Sequence, residues 1–149
     1  NTAGSFNVAA MTVFVGGKPE KKSYRRFKIK GFSGQDDYRS MAEVIERRFT
    51  EYKNKTRGFD ILPDLILLDG SKGQINAVKP VLERLGIEVA VFGMVKDSKH
   101  RTRAIADCGG DIAIKANRRA YTLITTIQDE THRFAITYHS LLKRKGMLK

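Results

Sequence analysis

Residues 62–74, Leu-Pro-Asp-Leu-Ile-Leu-Leu-Asp-Gly-Ser-Lys-Gly-Gln, constrain the fold of this chain more than any other stretch. Leu65, Ile66, Leu67 and Leu68 make a short continuous apolar run, introduced by Pro63 and halted by Gly70. A run of that length without alternation reads as a strand covered on both faces, parallel and central in an α/β sheet. The residue that closes it, Asp69, is a carboxylate. Ligands of open α/β sheets gather beyond the carboxyl ends of the strands, so Asp69 stands where a site belongs. An acid at that place, in a chain of formal net charge +12, suggests a metal held against a polyanion.

The length of 149 residues suits one domain with one core. With 41% hydrophobic and 30% charged residues the composition is that of a soluble globular protein, which argues against disorder. No apolar run approaches the ~20 residues of a membrane span. The amino terminus has no signal-peptide architecture and starts at Asn1, so the chain reads as a fragment of a longer protein. A single cysteine, Cys108, cannot form an internal disulfide, and a reducing cytoplasm is the expected location. Lys and Arg number 28 against 16 Asp and Glu, which favours a phosphate-bearing partner. The same excess also serves solubility or ribosome association, so charge alone does not decide for nucleic acid.

Along the chain, residues 7–15 read as a strand, 16–19 as a turn, and 23–30 as a second strand. In the latter Tyr24, Arg26, Lys28 and Lys30 share one face, and Arg25, Phe27 and Ile29 the other, so the two strands predict a hairpin. Residues 31–35 break the pattern. Asp36 or Asp37 then caps a helix over 37–54, with Met41, Val44, Ile45 and Phe49 at helical spacing. A strand over 64–69 follows, then a helix over 73–85 with Ile75, Val78, Leu82 and Leu85 inward, stopped by Gly86. Residues 87–94 predict another buried strand, the segment 103–115 a second hairpin, and 117–144 a long final helix. Hairpin, helix, strand, helix, strand, hairpin, helix implies a mixed sheet flanked by helices, an α/β fold.

Three groups of residues carry chemistry. Asp69 is either a cap that braces the following turn or a hard oxygen ligand for Mg²⁺ or Mn²⁺. Beside it, Gly70 and Gly73 leave room for a phosphate backbone and Lys72 adds a cation; the spacing is not that of a Walker A loop, which excludes nucleotide hydrolysis by that route. His132 lies in the final helix, either as a surface residue or as a metal ligand or proton-transfer group. Asp129, one turn earlier, could orient its imidazole, whereas Glu130 and His139 have no evident partner. Asp36-Asp37 reads as a helix cap or as support for a metal site. The basic stretches 18–30, 47–48, 99–103 and 143–149, interleaved with Tyr24 and Phe27, are either solvated faces or phosphate and base contacts.

The ordered motifs carry a resemblance. Residues 24–30 (Tyr-Arg-Arg-Phe-Lys-Ile-Lys), 36–38 (Asp-Asp-Tyr), 62–74 and 127–136 (Ile-Gln-Asp-Glu-Thr-His-Arg-Phe-Ala-Ile) occur in the order and spacing of one family. Across nearly its whole length the chain resembles the carboxy-terminal endonuclease domain of UvrC, the incising protein of the UvrABC excinuclease in bacterial nucleotide excision repair. The resemblance implies a ribonuclease H-like fold and a divalent-cation-dependent incision on the 5′ side of a DNA lesion. It also implies damaged double-stranded DNA as substrate, and UvrB as partner after UvrA-dependent loading. Asp69 matches the second aspartate of an Asp, Asp, His set, His132 matches the histidine, and Asp37 matches a further acidic position. The first aspartate belongs to a segment that aligns with Asn1-Thr2 and falls just upstream of Asn1. Most of its strand is therefore expected to be missing, leaving two neighbouring strands without their central partner and exposing unpaired edges. Lys72, Arg25, Arg26 and Arg133 are the expected DNA contacts. Two functions from different classes follow: a metal-dependent DNA endonuclease, or a non-catalytic nucleic-acid-binding module that keeps the fold without a complete site. A Holliday-junction or transposase-type nuclease would need a third carboxylate from the final helix, Glu130 or Asp129, and rests on fold analogy alone.

Overall fold

Helices in this protein start and stop where the sequence supplies caps. The computed structural model describes residues 8–30, 36–99 and 101–146, without the side chains of Tyr138, His139, Ser140 and Leu142. Asn1-Thr2, the break at 31–35 and the His139 imidazole lie outside the described residues. Helix α1 (Asp37–Lys53) is capped by Asp36, whose carboxylate accepts the Arg39 N–H at 3.1 Å. That decides between the two aspartates: Asp36 caps, and Asp37 is the first helical residue. Helix α2 (Lys72–Leu85) begins at Ser71, whose N–H donates to the Gln74 side chain at 2.9 Å, and ends at Gly86, in the left-handed region at φ 71°. Helix α3 (Arg118–Arg144) is capped by Asn117, which accepts the Ala120 N–H at 3.1 Å.

The strands form three groups among the described residues. Strand β1 (Val8–Met11) pairs antiparallel with β4 (Arg25–Lys28), and the short β2 (Phe14–Val15) pairs with β3 (Lys18–Pro19). The predicted strand 7–15 is thus broken at 12–13, and the two arms of the predicted hairpin enclose a smaller one. Phe27 and Ile29 are buried while Arg26, Lys28 and Lys30 are exposed, as alternation requires. Tyr24 departs from that pattern: it precedes β4 and is buried against α3.

A four-stranded mixed sheet runs in the order β5 (Leu65–Leu68), β6 (Ala90–Lys96), β7 (Thr102–Asp107), β8 (Gly110–Ala113). Strand β5 is parallel to β6, as its apolar run predicted, and the other pairs are antiparallel. Its central placement is corrected. Among the described residues β5 is an edge strand, with Leu65 42% exposed. An apolar run reports burial of faces and is blind to how many neighbours a strand has. Strand β6 extends to Lys96, two residues beyond the predicted end at Met94.

The sheet is covered on both faces. Leu68, Val91, Val95, Ala104 and Ala106 pack with Ile45 and Phe49 of α1 and Ile75, Val78 and Leu82 of α2. On the opposite face Leu67, Met94 and Ile105 pack with Ile124 and Ile127 of α3. Helix α3 also ties the β1–β4 pair to the sheet: Thr131 and Thr12 share a hydroxyl hydrogen bond of 2.6 Å, and Tyr24 donates to Glu130 at 2.8 Å. No helix among the described residues is long and apolar enough to cross a membrane.

Candidate functional site

Strand alternation aims Asp69 at α3. Side chains two apart on a strand share a face, so Asp69 continues the side of Leu67, and Lys96 that of Met94. The parallel register pairs Leu68 with Gly93 and sets the carboxyl ends of β5 and β6 side by side. There the Lys96 ammonium lies 3.1 Å from Asp69 Oδ1 and 3.4 Å from Oδ2. From α3 the Gln128 amide donates to Asp69 Oδ1 at 3.5 Å.

A bulge completes the arrangement. The β6–β7 ladder pairs Val95 with Ala104 and Lys96 with Thr102, which leaves Arg103 as an extra residue. Without it Thr102 would share the face of Ala104 and Ala106, toward α1 and α2. With it Thr102 turns to α3, where its hydroxyl hydrogen-bonds the Gln128 amide oxygen. Both residues are buried, so that bond fixes which end of the Gln128 amide faces Asp69. Close packing holds the loop that carries the carboxylate. A Cβ on Gly93 would stand 3.0 Å from the Gly70 carbonyl carbon, so only glycine admits the Asp69-Gly70 turn this near to β6. A Cβ on Gly73 would stand 2.8 Å from Tyr38 Cζ, so the Tyr38 ring packs directly on the start of α2. This contact brings the first turn of α1, with Asp37, to the end of the molecule that carries Lys72.

Asp69 is exposed at 54% of its side chain and open to a ligand. Asp37, Lys72, Asp129 and His132 are also exposed. His132 lies one helical turn beyond Gln128 on the same face of α3, but among the described residues it makes no hydrogen bond or ion pair with Asp129 or Asp69. The expected orientation of the imidazole by Asp129 is not formed. No group of three or more His, Cys, Asp and Glu side chains able to hold a metal occurs among the described residues. The donor set of Asp69 points the same way: two N–H donors face it. By themselves these residues do not fit a divalent ion.

A second cluster lies further along α3. Arg133 grips Glu130 with Nε at 2.7 Å and Nη2 at 2.8 Å, and Tyr24 donates to the same carboxylate. The Arg133 hydrogen bonds pull the Glu130 carboxyl from 4.5 down to about 2, while burial, aided by the Glu130 bond, pushes the Tyr24 phenol up to about 12. Glu130, for which the sequence offered no partner, is therefore committed to this network. The Arg26 guanidinium stacks 4.5 Å above the Phe134 ring, and Tyr24 meets Phe134 edge-on at 5.0 Å. Lys21, Tyr24, Arg25, Arg26, Arg133, Phe134 and Thr137 line an open groove of about 440 Å³. Arg25 is braced by the Lys22 and Tyr24 carbonyls and lies over Phe59. Three of the four cations expected to contact DNA thus stand together, and Lys72 stands apart at the start of α2.

Residues 1–136 match the family model described as the UvrC RNase H endonuclease domain. The chain belongs to that family. Curated relatives agree: the UvrABC system protein C of Thermoanaerobacter sp. (strain X514) is 51% identical over 93% of this chain. That of Caldicellulosiruptor saccharolyticus is 48% identical over 99% of it. This UvrC-family chain spans about a quarter of the length of those relatives, 25% and 24% respectively. The three α-helices and mixed sheet of the described residues are those of a ribonuclease H-like domain, as the motifs implied. Lys96, Gln128 and Thr102 were not legible as site residues. The only signal available was alternation: a strand read on past Met94 puts Lys96 on the same face, beside the end of β5.

Proposed function

We propose that the 149 residues form one endonuclease domain of a longer cytoplasmic protein, which hydrolyses a phosphodiester on the 5′ side of a lesion in nucleotide excision repair. The substrate is damaged double-stranded DNA, and UvrB, loaded with UvrA, delivers it. The observation that carries this reading is Asp69, held at the carboxyl end of β5 between Lys96 and Gln128 and open to solvent, in a domain of an endonuclease family. A divalent cation, Mg²⁺ or Mn²⁺, is the cofactor that a ribonuclease H-like nuclease implies, and it supplies charge at the scissile phosphate. In this reading Asp69 is one ligand of that ion, and the described residues do not complete its site. His132 is a further ligand or proton-transfer group, and Asp37 supports the site from α1. Lys72 at the start of α2, with Arg25, Arg26 and Arg133 around the groove, holds the phosphates of the strand.

The described donors do not complete an ion site, which keeps a second reading in play: a nucleic-acid-binding module of the same fold that does not cut. The two separate on a nicking assay with Mn²⁺ and a bubble or UvrB-bound lesion substrate, using a protein extended upstream of Asn1. The nuclease reading expects nicking that Asp69→Ala abolishes. Binding without nicking, or nicking that survives Asp69→Ala, overturns it.

A further inference from the structure

Arg25 and Arg26 are neighbours on β4 and point to opposite faces of the β1–β4 ribbon, Arg25 toward α1 and Arg26 toward α3. Each face carries an open groove. Beside the one next to Phe134, a second of about 510 Å³ is lined by Arg25, Arg26, Phe27, Arg47 and Phe59, with Glu46 and Glu51 on its α1 wall. Arg25 and Arg26 belong to both linings, so the grooves meet across the outer edge of β4, which among the described residues pairs only with β1. Rings hold the guanidiniums in place: Arg26 lies 4.5 Å from the Phe134 centroid, Arg25 4.9 Å from Phe59 and Arg47 5.2 Å from Phe27. A planar cation laid on a ring is pre-organised and loses little freedom when it meets an anion. Glu46 is paired with Arg84, and Glu51 marks the wall that a phosphate avoids. A peptide strand finds this edge already occupied. Arg47 donates to the Lys28 carbonyl at 2.7 Å, Arg25 to the Tyr24 carbonyl at 2.8 Å, and the Lys30 N–H donates to Glu43 at 2.8 Å. The guanidiniums along both grooves suit phosphates instead.

We propose that the two grooves form one path for a single nucleic-acid strand, which passes over the β4 edge from the α3 side to the α1 side with its phosphates on Arg133, Arg26, Arg25 and Arg47. The turn over the edge decides for a single strand. It is made within the thickness of one β layer, about 10 Å, whereas duplex DNA stays nearly straight over ~500 Å. The α3-side groove opens close to Asp69: Gln128, which faces that carboxylate, and Phe134 are six residues apart on α3, or about 9 Å along its axis. The path therefore takes a strand that is unpaired beside the site. The inference rests on the reading of a chain that acts on DNA, but its test does not use cutting.

The protein extended upstream of Asn1 is titrated, over a range of salt, against a fluorescein-labelled oligothymidylate of about 12 nucleotides and against a duplex of the same length, with anisotropy as the readout. The single strand is expected to bind more tightly than the duplex. Arg47→Gln, on the α1 side alone, is expected to lower the slope of log affinity against log salt by about 0.7, as loss of one single-strand phosphate contact does. Arg26→Gln is expected to do the same, the pair to lose about the sum, and Arg47→Lys to keep the parent slope. Arg118→Gln, the same charge change at the far end of α3, is expected to leave the slope unchanged. Circular dichroism melts confirm folding, and if Arg47→Gln does not fold, Thr50→Glu in the same lining is expected to weaken single-strand binding. Equal or tighter binding of the duplex overturns the proposal, as does a slope that Arg47→Gln leaves intact or that Arg118→Gln lowers as much. Displacement of the strand by a poly-glutamate peptide of equal length at lower concentration would assign the grooves to an acidic protein segment and overturns it too. The nuclease reading is decided separately, by Asp69→Ala in the nicking assay, so the two can fail independently.

Discussion

Replacing Gly93 by alanine probes the contact that holds the Asp69 turn against β6. A Cβ at this position would stand 3.0 Å from the Gly70 carbonyl carbon and 3.3 Å from Ser71 Cα, and nearer still to the Gly70 oxygen. Carbon atoms in ordinary contact lie about 3.5–4.0 Å apart, so the main chain has to yield by roughly 0.5–1 Å. No flexible side-chain end is available to absorb it, because every colliding atom is backbone. Overpacking of this kind costs about 1–3 kcal/mol, and a backbone-on-backbone clash belongs at about 3 kcal/mol. Against a domain stability of about 5–15 kcal/mol the variant still folds. Equilibrium urea unfolding followed by circular dichroism measures the loss as a lower midpoint at unchanged slope. Gly109→Ala is the control: its Cβ would meet only the Asp107 carboxylate oxygen, at 3.3 Å on a side chain that can move, and it should stay within about 0.5 kcal/mol of the parent. A Gly93→Ala variant within about 1 kcal/mol of the parent at the same slope refutes the reasoning that the turn depends on this close approach.

Other substitutions read the remaining contacts. Thr102→Val leaves the buried Gln128 amide oxygen without its donor and should cost about 1–3 kcal/mol in urea unfolding, with Thr102→Ser close to the parent. The depressed Glu130 carboxyl contributes stability that is present above its ordinary value of 4.5 and lost as pH falls toward about 2; Glu130→Gln should flatten that acid limb in melts across pH. The raised Tyr24 phenol contributes stability that is present below 10 and lost as pH rises toward about 12, so Tyr24→Phe should flatten the alkaline limb. If the groove beside Phe134 holds a DNA phosphate, Arg26→Gln should lower the slope of log affinity against log salt by about 1 in a fluorescence anisotropy titration.

The order of elements was legible because each is specified locally. Asp36, Asn117 and Gly86 mark helix ends with their own side chains or backbone freedom, and periodicity separates Ile75, Val78 and Leu82 from the exposed face of α2. Where the reading slipped, the deciding force was not local. The end of β6 runs on to Lys96 because β7 pairs with it. Tyr24 is buried, against its alternation, because Glu130 and Phe134 wait for it more than 100 residues away in the chain, at a separation of 106 for Glu130.

Local pattern and motif order suffice for a helix-flanked mixed sheet with a carboxylate, Asp69, at the carboxyl end of a parallel strand, in the order of one family of nuclease domains. Tertiary structure alone decided which groups meet that carboxylate. Lys96 comes from 27 residues away across the sheet and Gln128 from 59 residues away on α3, and Thr102 reaches Gln128 only because one extra residue in β7 reverses its face. Periodicity assigns a face to each side chain. The identity of its partner depends on register, bulge and helix placement, which are set by the packing of the whole chain.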